Sequence, residues 1–399
     1  MPPVYLDNNA TTRMDPAALA EMLPYFCEQF GNPSSTHSFG ENVSGAIKAA
    51  RRRLQDLIGA QHDHEIIFTS GGTESNNTAI LSALEAMPER DEIVTSAVEH
   101  PSVLQLCEHL EKSGRARVHF IGVDRLGRLD LEAYRAALSE RVAVVSIMWA
   151  NNETGAINPV DALADLAKAA GALFHADAVQ AVGKVPVALK TTAIDMLSLS
   201  GHKLHGPKGI GALYVRKGAR FKPLIRGGHQ ERGRRAGTEN VPGIIGLGKA
   251  AELALAHLSD EQTRVRDLRD RLEKGVLAAI PDAMVNGDPL DRLPNTSNIA
   301  FNYAEGEAIL LHLQRAGVAA STGSACTAGS TEPSHVLKAM KLPDSALHGA
   351  VRFSLSRDTV EADVDRVVEA LPGIVAKLRE LSPFGAAGEQ PAGDARTYA

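Results

Sequence analysis

Lys203 stands in SLSGHKLHGPKGIG (198–211), where a strand-like run ends and Gly206, Pro207 and Gly209 shape a tight loop. A lysine at a strand end can serve as a Schiff-base nucleophile when its surroundings lower its pKa. Earlier, HADAVQ (175–180) places Asp177 and Gln180 at the end of another strand-like run. A carboxylate beside a pyridine nitrogen keeps that nitrogen protonated. Lysine plus acid is the donor pair expected around pyridoxal 5'-phosphate, whose protonated ring is an electron sink. GGTESNN (71–77) adds glycines and Thr73 at the start of a helical pattern. Free N–H groups, a hydroxyl and the helix dipole suit a phosphate there. No GxxxxGK[ST] loop occurs, so this is not a nucleotide P-loop.

STGSACTAGS (321–330) surrounds Cys326 with small and hydroxylated residues. A structural cysteine is usually buried as a small hydrophobe, so this one reads as a thiol meant to move and react. Cys27 and Cys107 fall in helix-like stretches and read as packing residues. QHDHE (61–65) lacks a third ligand at metal spacing and reads as a solvated loop; no metal site is expected. The arginines of HQERGRRAGTEN (229–240) have no stacking aromatics among them, which fits a polar loop at a subunit interface better than a nucleic-acid patch.

The elements that would carry these residues are legible as alternating runs. EIIFTSG (65–71), EIVTSAV (92–98), RVHFIGV (117–123), VAVVSIMWA (142–150), ALFHADAV (172–179), MLSLSG (196–201) and GALYVRKG (211–218) read as strands, most of them separated by helical patterns. Consecutive apolar positions mark strands covered on both faces, so the expectation is an α/β domain with a mostly parallel sheet. Beyond a helical stretch near 240–276, TSNIAFNY (296–303), GVAAST (317–322) and VRFSLS (351–356) read as strands of a smaller α+β domain. The division expected is 15–260 for the large domain, 1–14 with 261–381 for the small one carrying the Cys326 loop, and 382–399 as a disordered tail.

Composition bounds the rest. In 399 residues, 44% are hydrophobic and 23% charged, as in a soluble globular protein. A net charge of −6 gives no general attraction to nucleic acid or an anionic membrane. No apolar run reaches bilayer length, the first residues lack signal-peptide character, and three cysteines without a CxxC fit a reducing compartment. A cytoplasmic protein is expected.

YLDNNATT, FGNPSSTHSFG, GTES, EHPSV, WANNETG, HADAVQAVGK, SGHKLHGPKG, GGHQERGRRAGTEN and GSACTAGSTEPSHV together resemble the signature blocks of the pyridoxal-phosphate-dependent cysteine desulfurases, in class V of the aminotransferase fold. The long stretch around Cys326 is similar to the NifS/IscS group, and the wording of several blocks to its nitrogen-fixation type. The resemblance implies transferase fold type I and a homodimer that converts L-cysteine to L-alanine. The sulfur would pass through a Cys326 persulfide to an iron–sulfur scaffold protein, for nitrogenase maturation. It implies that Lys203 bonds the cofactor, Asp177 pairs with its ring nitrogen, Gln180 bonds its ring hydroxyl, and His100 stacks on it and shuttles protons. Gly72, Thr73, Ser200, Gly201 and His202 would hold the phosphate side, with Thr238 reaching in from the other subunit. Asn152 would contact both cofactor and substrate, and Arg352 would receive the substrate carboxylate. Other readings remain beside this one: a housekeeping desulfurase, a class V aminotransferase needing no Cys326, or a non-catalytic sulfur carrier.

Overall fold

The computed structural model describes residues 2–322 and 333–381. The expectations for Cys326 and for the 382–399 tail lie outside the described residues. After a short strand β1 (Val4–Tyr5) the apolar runs become β2 (Ile66–Thr69), β3 (Glu92–Ser96), β4 (Arg117–Ile121), β5 (Val142–Met148), β6 (Leu173–Asp177), β7 (Met196–Ser200) and β8 (Gly211–Val215). Each lies inside the run expected to form it. They make one sheet in the order β2-β8-β7-β6-β5-β3-β4, in which only β8 runs against its neighbours. Every residue of β5, β6, β7 and β8 is buried, which is why these runs are apolar without alternation. Edge strand β4 alone mixes buried and exposed positions.

A second sheet forms from β9 (Ala283–Asn286), β10 (Thr296–Phe301) and β12 (Ala350–Ser354), antiparallel in the order β12-β10-β9. β11 (Val318–Ala319), shorter than expected, pairs in parallel with β1 and so ties the N-terminus to this region. The 39-residue helix Val241–Ala279 is apolar enough to cross a bilayer, yet its apolar residues are spent on two cores. Ile244, Leu247 and Ala251 pack into the cluster under the large sheet. Leu268, Leu272 and Val276 pack with Phe301, Phe353 and Leu371 under the small one. Between them lies a π-helical turn, Glu261–Val265, which re-aims the buried face from one core to the other.

The sequence reading is corrected at Cys27. It ends the one-turn helix Pro24–Cys27 and is exposed, because so short a helix has no inward face to give it. Cys107 is buried among apolar residues, and burial pushes its thiol up to about 12. QHDHE forms a 3-10 turn in which the rings of His62 and His64 stack.

Candidate active site

The chemistry-bearing residues converge at the carboxyl ends of parallel strands, where open α/β sheets bind ligands. Gly72 and Thr73 open the helix Gly72–Ala86 after β2. His100 caps the helix Pro101–Lys112 after β3. Asn152 follows β5, Asp177 ends β6, Ser200 ends β7, and Lys203 closes the 3-10 turn Gly201–Lys203. Arg352 alone comes from the other sheet, in β12. All ten of the residues Gly72, Thr73, His100, Asn152, Asp177, Gln180, Ser200, His202, Lys203 and Arg352 line one cavity of about 350 Å³. That volume lies in the range of small-ligand sites.

Asp177 is aimed by two donors. Asn76 Nδ2 donates to Oδ2 at 2.7 Å and the Val179 N–H to Oδ1 at 3.0 Å. Behind it His175 is fully buried and bonds Ser146 and Ser198, and burial pushes its pKa down to about 4. Lys203 Nζ donates to the carbonyls of Asn9 and, at 2.7 Å, Ala10. His100 Nδ1 accepts the Ser102 N–H at 3.1 Å, so the ring proton of the neutral form sits on Nε2. Burial lowers the His100 pKa, Asp177 opposes that shift, and Lys203 adds to it. His202 is pushed down to about 4 by burial and by the charge of Lys203, so it meets an anion as a neutral hydrogen-bonding group.

The donor set fits pyridoxal 5'-phosphate. Gly71 precedes the helix and gives it no side-chain cap, which leaves its first N–H groups for an anion. Gly72 is required by space, since a Cβ there would lie 2.8 Å from Val179 Cγ2. Thr73, Ser200 and His202 line the same cavity, and the Asp177 carboxylate and Lys203 amine are the acid and nucleophile such a ring needs.

Two expected residues lie elsewhere. Gly201 is packed against Pro207 and Ile210, its N–H is used on the Ile210 carbonyl, and its place is to shape the lysine turn. Thr238 is exposed and outside this chain's own cavity. The polar loop around it is held internally: Glu231 forms a buried two-pronged pair with Arg51, and Arg235 pairs with Glu74.

Sequence reasoning missed Asn9, Asn76, Ser102 and Asp7. Asn76 had a readable signal, since it lies four residues after Gly72 on the same helix face. Asp7 pairs with Arg352 Nη2 at 2.7 Å, while Arg352 Nη1 donates to the Asn152 carbonyl at 2.9 Å. The described residues that flank 323–332 bond to residues in or next to the cavity. Ser321 exchanges backbone bonds with Arg352 on one side. On the other, Ser334 donates to Glu153 at 2.5 Å and His335 Nε2 donates to the Glu99 carbonyl at 3.0 Å, next to His100.

Comparison with known proteins agrees with this geometry. The family model for class-V aminotransferases matches residues 4–367. A cysteine desulfurase of Gluconacetobacter diazotrophicus is 68% identical over 99% of both chains. Cysteine desulfurase NifS of Azotobacter vinelandii is 62% identical over 96% of this chain and 95% of its own. Among solved structures, a NifS-like protein superposes with a TM-score of 0.88 at 36% identity, covering 94% of this chain and 100% of that one. SspA in complex with cysteine does so with a TM-score of 0.77 at 34% identity, over 90% and 100%. With the site, the sheet and these relatives in agreement, the chain belongs to the cysteine desulfurases of the class-V aminotransferase family.

Proposed function

We propose that this chain converts L-cysteine to L-alanine, keeps the sulfur as a persulfide on Cys326, and hands it to an iron–sulfur scaffold protein for nitrogenase maturation. The observation that carries the reading is the gathering of Asp177, Lys203, His100 and Arg352 around one cavity. Pyridoxal phosphate, when bound, supplies an electron sink for the bond electrons released at the substrate Cα. The chain's residues do the rest. Lys203 would hold the cofactor and, with its amine freed when substrate binds, would take the Cα proton, and Asp177 would keep the ring nitrogen protonated. Gly72, Thr73, Ser200 and His202 hold the phosphate, joined by the partner subunit's Thr238. Arg352 and Asn152 orient the substrate carboxylate, and neutral His100 relays a proton through Nε2.

The Cys326 thiolate attacks the substrate sulfur. An S–S bond forms as the Cβ–S bond breaks, the electron pair left at Cβ takes up a proton to give a methyl group, and Lys203 returns the proton it took from Cα, which completes alanine. Cys326 lies four residues beyond Thr322, a reach of about 13 Å in extended chain. The anchored ends of its segment, one on the Arg352 strand and one beside His100, suit a thiol that works in this cavity.

A homodimer fits the outward position of Thr238 and the exposed apolar surface of Phe26, Phe30 and Phe39, the last two with ring centroids 5.7 Å apart. The nitrogen-fixation role rests on the likeness to the Azotobacter protein. Its partners are then L-cysteine, a second copy and the scaffold, with neither nucleic acid nor membrane, and its place is the cytoplasm.

The test is turnover of L-cysteine without any keto acid, followed by mass spectrometry of the peptide containing Cys326. The reading expects alanine and one added sulfur on that peptide. Alanine only when a keto acid is supplied would replace it with an aminotransferase.

A further inference from the structure

The cavity wall hides a second lysine that none of the expected roles uses. Lys184 is 6% exposed and does not line the main cavity. It sits behind Gln180, in a separate space of about 20 Å³ that it shares with Lys203 and Glu261. Its Nζ donates to Gln180 Oε1 at 2.8 Å and lies 3.4 Å from Asn9 Oδ1. Gln180 Nε2 in turn donates to the Asn9 carbonyl at 2.9 Å, the same oxygen that accepts from Lys203.

This pattern leaves the Gln180 amide one orientation. An ammonium group is a donor only, so it claims the amide oxygen. Flipping the amide would set N–H against N–H at Lys184 and oxygen against oxygen at Asn9. Nε2 carries two hydrogens and Asn9 takes one. The other remains for whatever fills the cavity that Gln180 lines.

We propose that Lys184 is a positioning residue: it locks Gln180 with an N–H, and not a carbonyl, available to the phenolic oxygen of the pyridoxal ring. The inference rests on the pyridoxal-phosphate reading above. Without the lock, Gln180 can turn its carbonyl toward the ring and repel that oxygen when it is anionic. The charged groups acting on Lys184 are Lys203 and Arg352, which repel its charge, and Glu261 from the π-helical turn, which favours it. Burial pushes Lys184 down to about 7 and Glu261 up to about 7, each opposed by the other's charge. Glu261 is also acted on by Asp260, Arg357 and Arg264. Lys184 therefore keeps its donor-only form best on the acid side of neutrality.

The experiment titrates the visible absorption of the resting, pyridoxal-phosphate-loaded enzyme against pH, with no substrate present. In Lys184→Met the anionic ring oxygen loses its fixed donor and a nearby positive charge, so the proton it shares is held more tightly. The midpoint should rise by about one pH unit, the scale of losing one close charged neighbour. In a Gln180→Ala background the same substitution should move the midpoint by less than half as much. An unmoved midpoint in Lys184→Met overturns the proposal. So does an equal shift in both backgrounds, which would mean that Lys184 acts by charge alone. If Lys184→Met does not fold, Lys184→Met/Glu261→Gln removes both buried charges and carries the same measurement. A wild-type enzyme that shows no Lys203-linked visible band would instead sink the cofactor reading itself.

Discussion

Two regions build the site, and they do so differently. The strand ends of the large sheet carry the groups to which the proposed function assigns the chemistry: Asp177 ends a buried strand, and Thr73, His100 and Lys203 each follow one. The N-terminal stretch 6–12 supplies mostly aim. The Asn9 carbonyl receives Lys203 and Gln180, Asp7 holds Arg352, and Thr12 bonds the His202 carbonyl. The same stretch is fastened to the small sheet, with the Asn9 N–H on Ser354 Oγ at 2.9 Å and Asn9 Nδ2 on Thr296 Oγ1 at 2.8 Å. Reacting groups therefore rest on the rigid sheet, while one short strap registers the two sheets against each other.

Breaking the first region should have the largest effects. Lys203→Ala removes the nucleophile and should abolish turnover, with loss of the pH-sensitive visible band while phosphate contacts retain some cofactor; appreciable alanine production by this variant would remove Lys203 from the mechanism. Asp177→Asn keeps the shape but not the charge. It should cut kcat by about 100-fold or more, on the scale of losing one preorganised electrostatic group. A rate within a few-fold of wild type would mean that the ring nitrogen has another partner.

The contrast also marks what a sequence can disclose. The inner strands of the large sheet were legible because burial on both faces leaves a largely apolar run, and their polar ends then stood out as Asp177, Ser200 and Lys203. β1 and β9 were not legible, since both are short and only partly buried and so leave no uninterrupted buried run. The strap was silent for another reason. Its contacts join backbone and side-chain groups some 170 to 345 positions apart, and no local pattern encodes them. Lys184 was overlooked although its block was quoted, because a lysine reads as solvated until its burial is seen. Cys27 read as a packing residue in a helix-like stretch, but its helix is a single turn and Cys27 is exposed.

Glu99 offers a test within the first region that needs no turnover. It is fully buried beside His100, one of its oxygens accepts from Ser96 and from the Met148 N–H, and burial pushes it up to about 8. A carboxyl group with a raised folded pKa favours the fold while both states hold the proton. That advantage is lost as pH climbs from the unfolded value, near 4.5, through about 8. Glu99→Gln imitates the protonated form and should escape this loss. Between pH 5 and 7 it should gain on the wild type by about 1.4 kcal/mol per pH unit in urea unfolding. Parallel curves for the two proteins would show that Glu99 is already ionised in the fold.

Breaking the strap should cost stability before chemistry. Asn9→Ala keeps the backbone carbonyl that receives Lys203 and Gln180, but it deletes the side-chain bonds to Thr296 Oγ1 and to the Asn152 carbonyl. It also removes the acceptor for Asn295 Nδ2. Loss of these buried partners should lower unfolding free energy by about 1–3 kcal/mol, with the visible band retained. A variant as stable as wild type but without the band would reverse the roles assigned here, making the strap part of the cofactor site and not its support.

The smallest effects separate the two described cysteines from the chemistry. Cys107→Ser places a hydroxyl among Ile80, Val103 and Leu110, where it has to be desolvated, and should cost about 1–3 kcal/mol. Cys27→Ser exchanges one exposed group for another and should stay within about 0.5 kcal/mol of wild type. Neither change reaches the cavity, so both should leave the rate of alanine formation per folded molecule intact. Sulfur transfer would then depend on neither thiol, and Cys326 would be the only cysteine left to carry it. A large fall in rate for Cys27→Ser at unchanged stability would move the sulfur-accepting step out of the 323–332 segment.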